Sequence, residues 1–496
     1  MLKKFILPAT LLIVGSQLVS RILGVFRDHL FANTFGATSG VGIFDLDTYF
    51  AAFRLPDLVY SLLVFGTLSA AFVPLLAEKK NGDELNKFTS NVFNVLFVGI
   101  LILTGFIFIF AEPLTKMITP GFSSEKIVIT AQLLRIQLLA PIFFTFSAIF
   151  GGLAQHFHKF VWYSLAPIFY NLGIIFGTIF WGQEFGVFGA SWGVALGAFA
   201  HAAIQLPGIW RSGFRWKPVF HLRQLKPFLR LAGPRVVAVS ASQLQFVTIT
   251  IFASFVGGGT LTIFNFAWNL ASLPLGVVGI AFATTSFAGL ARLVKSRDEF
   301  RIKLHANLLG VFFWTLPLAV GLFLLREEIT RLILSGGLFS ETDVMLVSQS
   351  VALFACAVPA MSIYPLLSNA FFAQKNTRVP LIISVFSLSI TGLGCYFLIG
   401  KYLSSGLTVA YASAAILGTT LLFLNLPRDF QKIPFIKFSK ILLSSILLGV
   451  LIFIVGKVWI AKDFFELAVK ISALSILGGS FYLGATRISG INFRQL

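Results

Sequence analysis

Guanidinium and carboxylate groups are concentrated in one part of this chain. Arg21, Arg27, Asp28, Asp47, Arg54 and Asp57 lie in or at the ends of its first two long apolar stretches, residues 6–33 and 48–76. A charge deep in such a stretch costs about 3 kcal/mol or more, so it marks a cavity, an ion pair or a ligand path. The types present favour anion recognition over proton or group transfer. Arginine grips phosphate and carboxylate through a planar, bidentate fork, and no Cys accompanies the cluster. Helical geometry sharpens the picture. At 100° per residue Arg21 and Asp28 fall within about 20° of one face, and Arg27 points about 120° from Arg21. At 1.5 Å rise Arg21 stands roughly 22 Å above the start of its helix, Arg27 about 9 Å higher, and Arg54 about 9 Å below the outer end of the next helix. Static pairing is the alternative, with Asp57 at i+3 from Arg54 and Asp28 beside either of the first two arginines. Three arginines on two neighbouring helices exceed what packing requires, and an anionic-headgroup site is the reading they favour.

The elements that must position these groups are transmembrane helices. Hydrophobic residues make up 57% of the 496 positions and charged residues 11%, far below the roughly 25% charge of a soluble domain. Mean hydropathy is +0.89. Apolar runs of about 20 residues recur along the whole length, each long enough to cross the hydrocarbon as a helix. The expected segments are 6–33, 48–76, 88–110, 130–153, 160–181, 186–209, 228–256, 263–290, 304–325, 345–372, 379–400, 406–426, 439–460 and 467–486, about fourteen in all. Lys3 and Lys4 precede a stretch much longer than a signal-peptide core, so the first segment is expected to be retained.

The net charge of +19 is distributed as the positive-inside rule requires and does not indicate nucleic acid. With the amino terminus inside, about 25 basic residues fall on inner loops and about 7 on outer ones. Both termini are therefore expected to be cytoplasmic. The longest basic connection, residues 211–230, separates six segments from the next six, as a parallel internal repeat would. At an offset of 215, Phe53-Arg54-Leu55 aligns with Trp268-Asn269-Leu270, and Phe72 and Leu75 with Phe287 and Leu290. The expected organisation is a first lobe over 1–210, a second over 211–430, and an appended helix pair over 431–496.

The residues around the arginines also resemble a known family. Ser20-Arg21-Ile22-Leu23-Gly24, Arg27-Asp28, Phe35-Gly36-Ala37, Asp47, Phe53-Arg54-Leu55-Pro56 and Ala71–Glu78 are similar to the opening signature of the MurJ (MviN) lipid II flippases. Pro120-Gly121-Phe122, Ala166-Pro167 with Asn171, and Asn376–Pro380 resemble later landmarks. The resemblance implies two six-helix lobes related by a pseudo-twofold axis along the membrane normal, plus a C-terminal pair forming a lipid groove. It implies outward movement of undecaprenyl-pyrophosphate-linked peptidoglycan precursor (lipid II) by alternating access in a bacterial cytoplasmic membrane. Arg21, Arg27 and Arg54 match three of the family's cavity arginines. One departure stands out. Where many members carry an Arg and a Glu before the proline of the eighth segment, this chain has Asn269 and Ser272 before Pro274. The expected substrate-binding set is Arg21, Arg27, Asp28, Asp47, Arg54 and Asn269.

Other signals point away from catalysis. No well-buried carboxylate lies in the third to fourteenth segments, and cytoplasmic acids such as Asp83, Glu84, Asp298 and Glu299 lack the clustering of a metal-dependent transferase. His156 and His158 form an HxH pair with no third ligand nearby, and Gly257-Gly258-Gly259 reads as a tight turn. Cys356 and Cys395 both sit in apolar runs and suggest no disulfide. The expectation is a monomeric transporter with no cofactor or metal, handling lipid II among membrane lipids. A flippase for another polyprenyl-linked saccharide, or a drug exporter of the same superfamily, is the rival; an exporter of cations would want intramembrane acids instead of arginines.

Overall fold

The computed structural model describes residues 2–62, 72, 75, 76, 78, 79, 82–210, 212–432 and 434–491, with the side chains of 2–11, 224, 227, 229–239, 241 and 288 excepted. Every regular element among them is helical. The leading ones are α1 (Leu2–Phe35), α2 (Leu46–Ala52), α3 (Arg54–Tyr60), α4 (Asp83–Ile109), α5 (Ser124–Gln137), α6 (Leu139–His156), α7 (Phe160–Phe185), α8 (Val187–Ala203) and α9 (Lys226–Val256). They continue with α10 (Thr260–Pro274), α11 (Ile280–Arg292), α12 (Arg297–Leu324), α13 (Arg326–Leu334), α14 (Glu341–Ala373), α15 (Arg378–Leu424), α16 (Phe435–Val458) and α17 (Phe464–Ile488). Ten helical stretches among the described residues are long and apolar enough to span a bilayer. The chain is a multi-pass membrane protein.

Each segment expected from residue 88 onward is met by a helix or a helix pair. The expected break between 400 and 406 is present inside α15, where Leu403 adopts φ 49° and ψ −126°. The second expected segment is helical over α2 and α3, and its positions 63–71 lie outside the described residues, as do Val73, Pro74 and Ala77 of the signature.

The described residues form two compact units, one comprising 1–262 with 336–339, the other 263–335 with 340–496. In the first, α7 and α8 meet through glycines. A Cβ on Gly173 would stand 2.3 Å from the Cα of Gly197, and one on Gly177 2.5 Å from the Cα of Gly193. Small residues at i and i+4 on both helices let the backbones touch, which is how helices associate when lipid removes the hydrophobic drive. Buried hydroxyls such as those of Thr104, Thr145 and Thr178 donate to the carbonyl four residues back, so no polar group is left facing hydrocarbon there.

A second device in this unit is a polar stripe on α4. Asn86, Ser90, Asn91 and Asn94 recur at helical spacing and hold the extended segment 214–221. The amides of Arg215 and Lys217 donate to Asn86 Oδ1 (3.2 Å) and Ser90 Oγ (2.9 Å). Asn91 exchanges two bonds with the backbone of His221, at 2.7 and 3.1 Å. Asn94 donates to the carbonyls of Lys217 and Val219 and accepts from Trp216 Nε1. The Lys217 ammonium pairs with Asp83 at the start of α4.

In the second unit α11, α12, α14 and α15 enclose a core that includes Leu290, Leu304, Leu308, Ile363, Leu366 and Leu422. A further cluster joins α12 to α16 and α17 through Phe313, Leu448 and Leu474, and Tyr482 Oη donates to the Phe313 carbonyl at 2.7 Å.

Candidate anion-binding site

Helix α1 carries Arg21, Arg27 and Asp28. Arg27 bends back onto its neighbour, its Nε and Nη2 donating to Asp28 Oδ1 at 3.1 and 2.8 Å. Its Nη1 reaches Asn171 Oδ1 on α7 at 3.4 Å, and the guanidinium lies 5.9 Å from the Phe31 ring centre. Asn171 is itself fixed: its Nδ2 donates to the carbonyl and hydroxyl of Ser20 and to the carbonyl of Pro167. Asp28 is 6% exposed, so the pair is nearly neutral and sheltered. Arg21, half-exposed, makes no hydrogen bond or ion pair among the described residues.

The second arm of the site is built by a break. Asp45 caps α2, its Oδ1 accepting from the Asp47 amide at 2.8 Å, while its other oxygen pairs with Lys126. The helix stops at Ala52 and restarts at Arg54, with Pro56 in the first turn of α3, where a missing N–H does no harm. This restart places Arg54 against α9. Its Nε donates to Thr250 Oγ1 at 2.9 Å, its guanidinium lies 5.4 Å from the Phe246 ring centre, and the residue is 8% exposed. The Thr250 bond and the Phe246 ring face together fix the plane of this guanidinium.

Asp47 is fully buried. Its Oδ1 accepts from the amide and the hydroxyl of Thr262, at 2.8 and 2.6 Å, at the start of α10. Asn269 belongs to the second unit, half-buried on α10, where the Ser272 hydroxyl donates to its carbonyl at 3.0 Å. A π-helical turn over Leu275–Gly279 follows Pro274, a local irregularity that often accompanies function. The structure thus joins Arg27 to Asp28, and ties Arg54 and Asp47 separately to Thr250 and Thr262. The side chain of Arg235, which lies well inside the seventh expected segment, is outside the described residues.

Thr250, Phe246 and Thr262 were not legible as members of this site. Asn171 was visible as a polar residue in an apolar run but not as the partner of Arg27. Elsewhere, Arg135 donates to the Phe108 carbonyl at 3.3 Å and Lys470 pairs with Glu328, so neither joins the cluster.

Comparison with known proteins shows the family. The model of the family described as lipid II flippase MurJ matches residues 31–478. The chain belongs to this family. It is 30% identical over 453 residues to a probable lipid II flippase MurJ of Rhizobium tropici, covering 86% of this chain and 81% of that protein. A relative of the same description from Thermotoga maritima is 29% identical, with 87% of each chain covered. Among solved structures, a lipid II flippase MurJ in an inward closed conformation superposes with a TM-score of 0.81 at 27% identity, covering 96% of this chain and 98% of that one. An inward-facing MATE transporter of the MOP superfamily, 16% identical with a TM-score of 0.63, shares the fold. The family is one of transporters, not catalysts.

Proposed function

We propose that this protein moves undecaprenyl-pyrophosphate-linked peptidoglycan precursor, lipid II, from the inner to the outer leaflet of a bacterial cytoplasmic membrane by alternating access. The observation that carries the reading is the arginine set of α1 and α3 within a chain of this family. Arg21 makes no hydrogen bond or ion pair among the described residues, and Arg54 is oriented by Thr250 and Phe246. Arg27, offset by Asp28, supplies a third fork at a nearly neutral point. A pyrophosphate offers the several anionic oxygens that such forks match. Asp28 and Asp47 serve the site from behind, by orienting Arg27 and the start of α10. Asn269 meets the headgroup as a neutral hydrogen-bonding group in place of the family's frequent arginine.

The proposed frame is fourteen helices with both termini cytoplasmic, in lobes over 1–210 and 211–430 with a lipid-binding pair over 431–496. The protein acts as a monomer, without cofactor or enzymatic step. With net positive charge near the substrate path, membrane potential biases transport by about 2.3 kcal/mol per elementary charge per 100 mV. The deciding experiment is complementation of a conditional lipid II flippase deletion. Growth restored by the wild-type chain and lost with Arg54→Ala, at equal membrane levels, supports the reading. Failure of the well-expressed wild-type chain to restore growth overturns it.

A further inference from the structure

Two cavities of the second unit are lined by neighbouring turns of α16. The first is a trough of about 540 Å³ between α12, α14 and α16, walled by Val320, Phe323, Cys356, Pro359, Val450 and Phe453. All three helices are membrane-spanning by length and composition, so the trough opens among lipid chains. Its floor is tight: a Cβ on Gly449 would stand 3.0 Å from Val320 Cγ1. The second is a polar pocket of about 510 Å³ formed by α13, the 456–463 connection and the start of α17. Phe453 lines the first and Gly456 the second, three residues apart on α16, a rise of about 4.5 Å.

The polar pocket carries both signs of charge in equal number. Glu327, Glu328 and Asp463 face it together with Arg331, Lys462 and Lys470. Lys470 is buried and spends two of its three donors on Glu328 Oε1 and the Gly456 carbonyl, each at 3.1 Å. The Lys462 ammonium makes no hydrogen bond among the described residues. Trp459, in the same connection, is the residue type that settles at a membrane–water boundary.

We propose that this face seats one zwitterionic glycerophospholipid, with an acyl chain in the trough and a phosphoethanolamine headgroup in the polar pocket. The phosphate meets Lys462 and the remaining donor of Lys470, and the headgroup ammonium meets Glu327 and Glu328. A purely anionic headgroup would leave the pocket's carboxylates facing negative charge, which disfavours it. In the orientation proposed above, the lipid belongs to the outer leaflet. The inference concerns a face remote in sequence from the arginines and does not depend on the transported substrate.

Cys356 lines the trough and is exposed, while Cys395 is buried, which provides the test. The full-length Cys395→Ser protein, labelled at Cys356 with a benzophenone maleimide, is reconstituted in nanodiscs of equal phosphatidylethanolamine, phosphatidylglycerol and phosphatidylcholine. After irradiation the attached lipids are identified by mass spectrometry. Phosphatidylethanolamine should be attached at least about threefold more than either of the other two lipids, the selectivity of roughly one net hydrogen bond. Lys462→Glu and Glu327→Gln, both at exposed positions, should return the ratio to bulk while total lipid attachment is unchanged. Attached lipid that mirrors the bulk in the unsubstituted pocket, a preference for phosphatidylglycerol, enrichment that survives both substitutions, or attachment to protein alone would each overturn the proposal.

Discussion

Replacing Asn91 and Asn94 with alanine should free the 214–221 segment from α4 without unfolding the helix. These two side chains make five of the hydrogen bonds that hold it: two with His221, two with the carbonyls of Lys217 and Val219, and one with Trp216. A net hydrogen bond contributes about 0.5–1.5 kcal/mol, and these are partly exposed, so about 0.6 kcal/mol each is a fair value. The double variant therefore loses about 3 kcal/mol of local stability, which raises the detached population roughly 100-fold. A protease that cuts only the detached form reads that population directly when opening and closing are fast. Limited trypsin digestion of purified protein, followed by sequencing of the new amino terminus at Trp216, gives the rate of cleavage after Arg215. The variant should be cut roughly 100-fold faster at an almost unchanged thermal midpoint, since the packing of α4 is untouched. A change below about threefold would show that the segment is held by something other than this stripe, and the reasoning would fail.

Arg→Ala at Arg21, Arg27 or Arg54 should abolish flipping in a lipid II accessibility assay at normal membrane levels, and Arg→Lys should restore part of it, because Lys keeps the charge and loses the fork; normal activity in all three Ala variants would return the cluster to static pairing. In a cysteine-free background, single cysteines at Ser39, Ser123 and Ser405 should react with an impermeant thiol reagent from outside and those at Ser212 and Ser296 should not, and outside labelling at Ser296 would break the proposed topology. Asn269→Ala should impair transport less than Arg54→Ala, and Asn269→Arg should preserve or tighten lipid II binding measured by native mass spectrometry. The Arg297 guanidinium, donating to both oxygens of Asp429 at 3.0 and 2.7 Å, holds that carboxyl below the usual carboxylate range. A depressed folded-state pKa gives stability that is present above the unfolded value and lost as pH falls through the folded one, so Asp429→Asn should slightly lower the thermal midpoint at neutral pH, and the two profiles should converge as pH falls below the folded value.

The helices were legible because lipid leaves the backbone one choice for an apolar run of that length. The break at Leu403 and the turn at Gly257-Gly258-Gly259, where all three residues take positive φ, were legible from interrupted hydropathy and glycine chemistry. The pairing of Arg27 with Asp28 was one of the alternatives that local spacing allowed. What lay beyond sequence were contacts joining distant segments. Thr250 and Thr262 are ordinary residues of apolar helices until α3 and α2 arrive beside them, and no periodicity encodes that arrival. The stripe on α4 is different in kind. Asn86, Ser90, Asn91 and Asn94 are too polar for a lipid-facing helix end, a signal the sequence reading passed over, and only the structure shows that a backbone lies across them.

Asp47 and Thr262 are 215 residues apart, the same interval that superposes Arg54 on Asn269 in the proposed repeat. Both bonds converge on one carboxylate oxygen, so the starts of α2 and α10 are tied at a single buried point. Any motion that separates the two helix starts must break both bonds together. Charge-assisted bonds contribute about 1.5–3 kcal/mol each, so this contact alone disfavours a separated arrangement of the two helix starts by at least roughly 100-fold. A ligand that drives such a separation must bind the separated form better than the joined one by a similar factor.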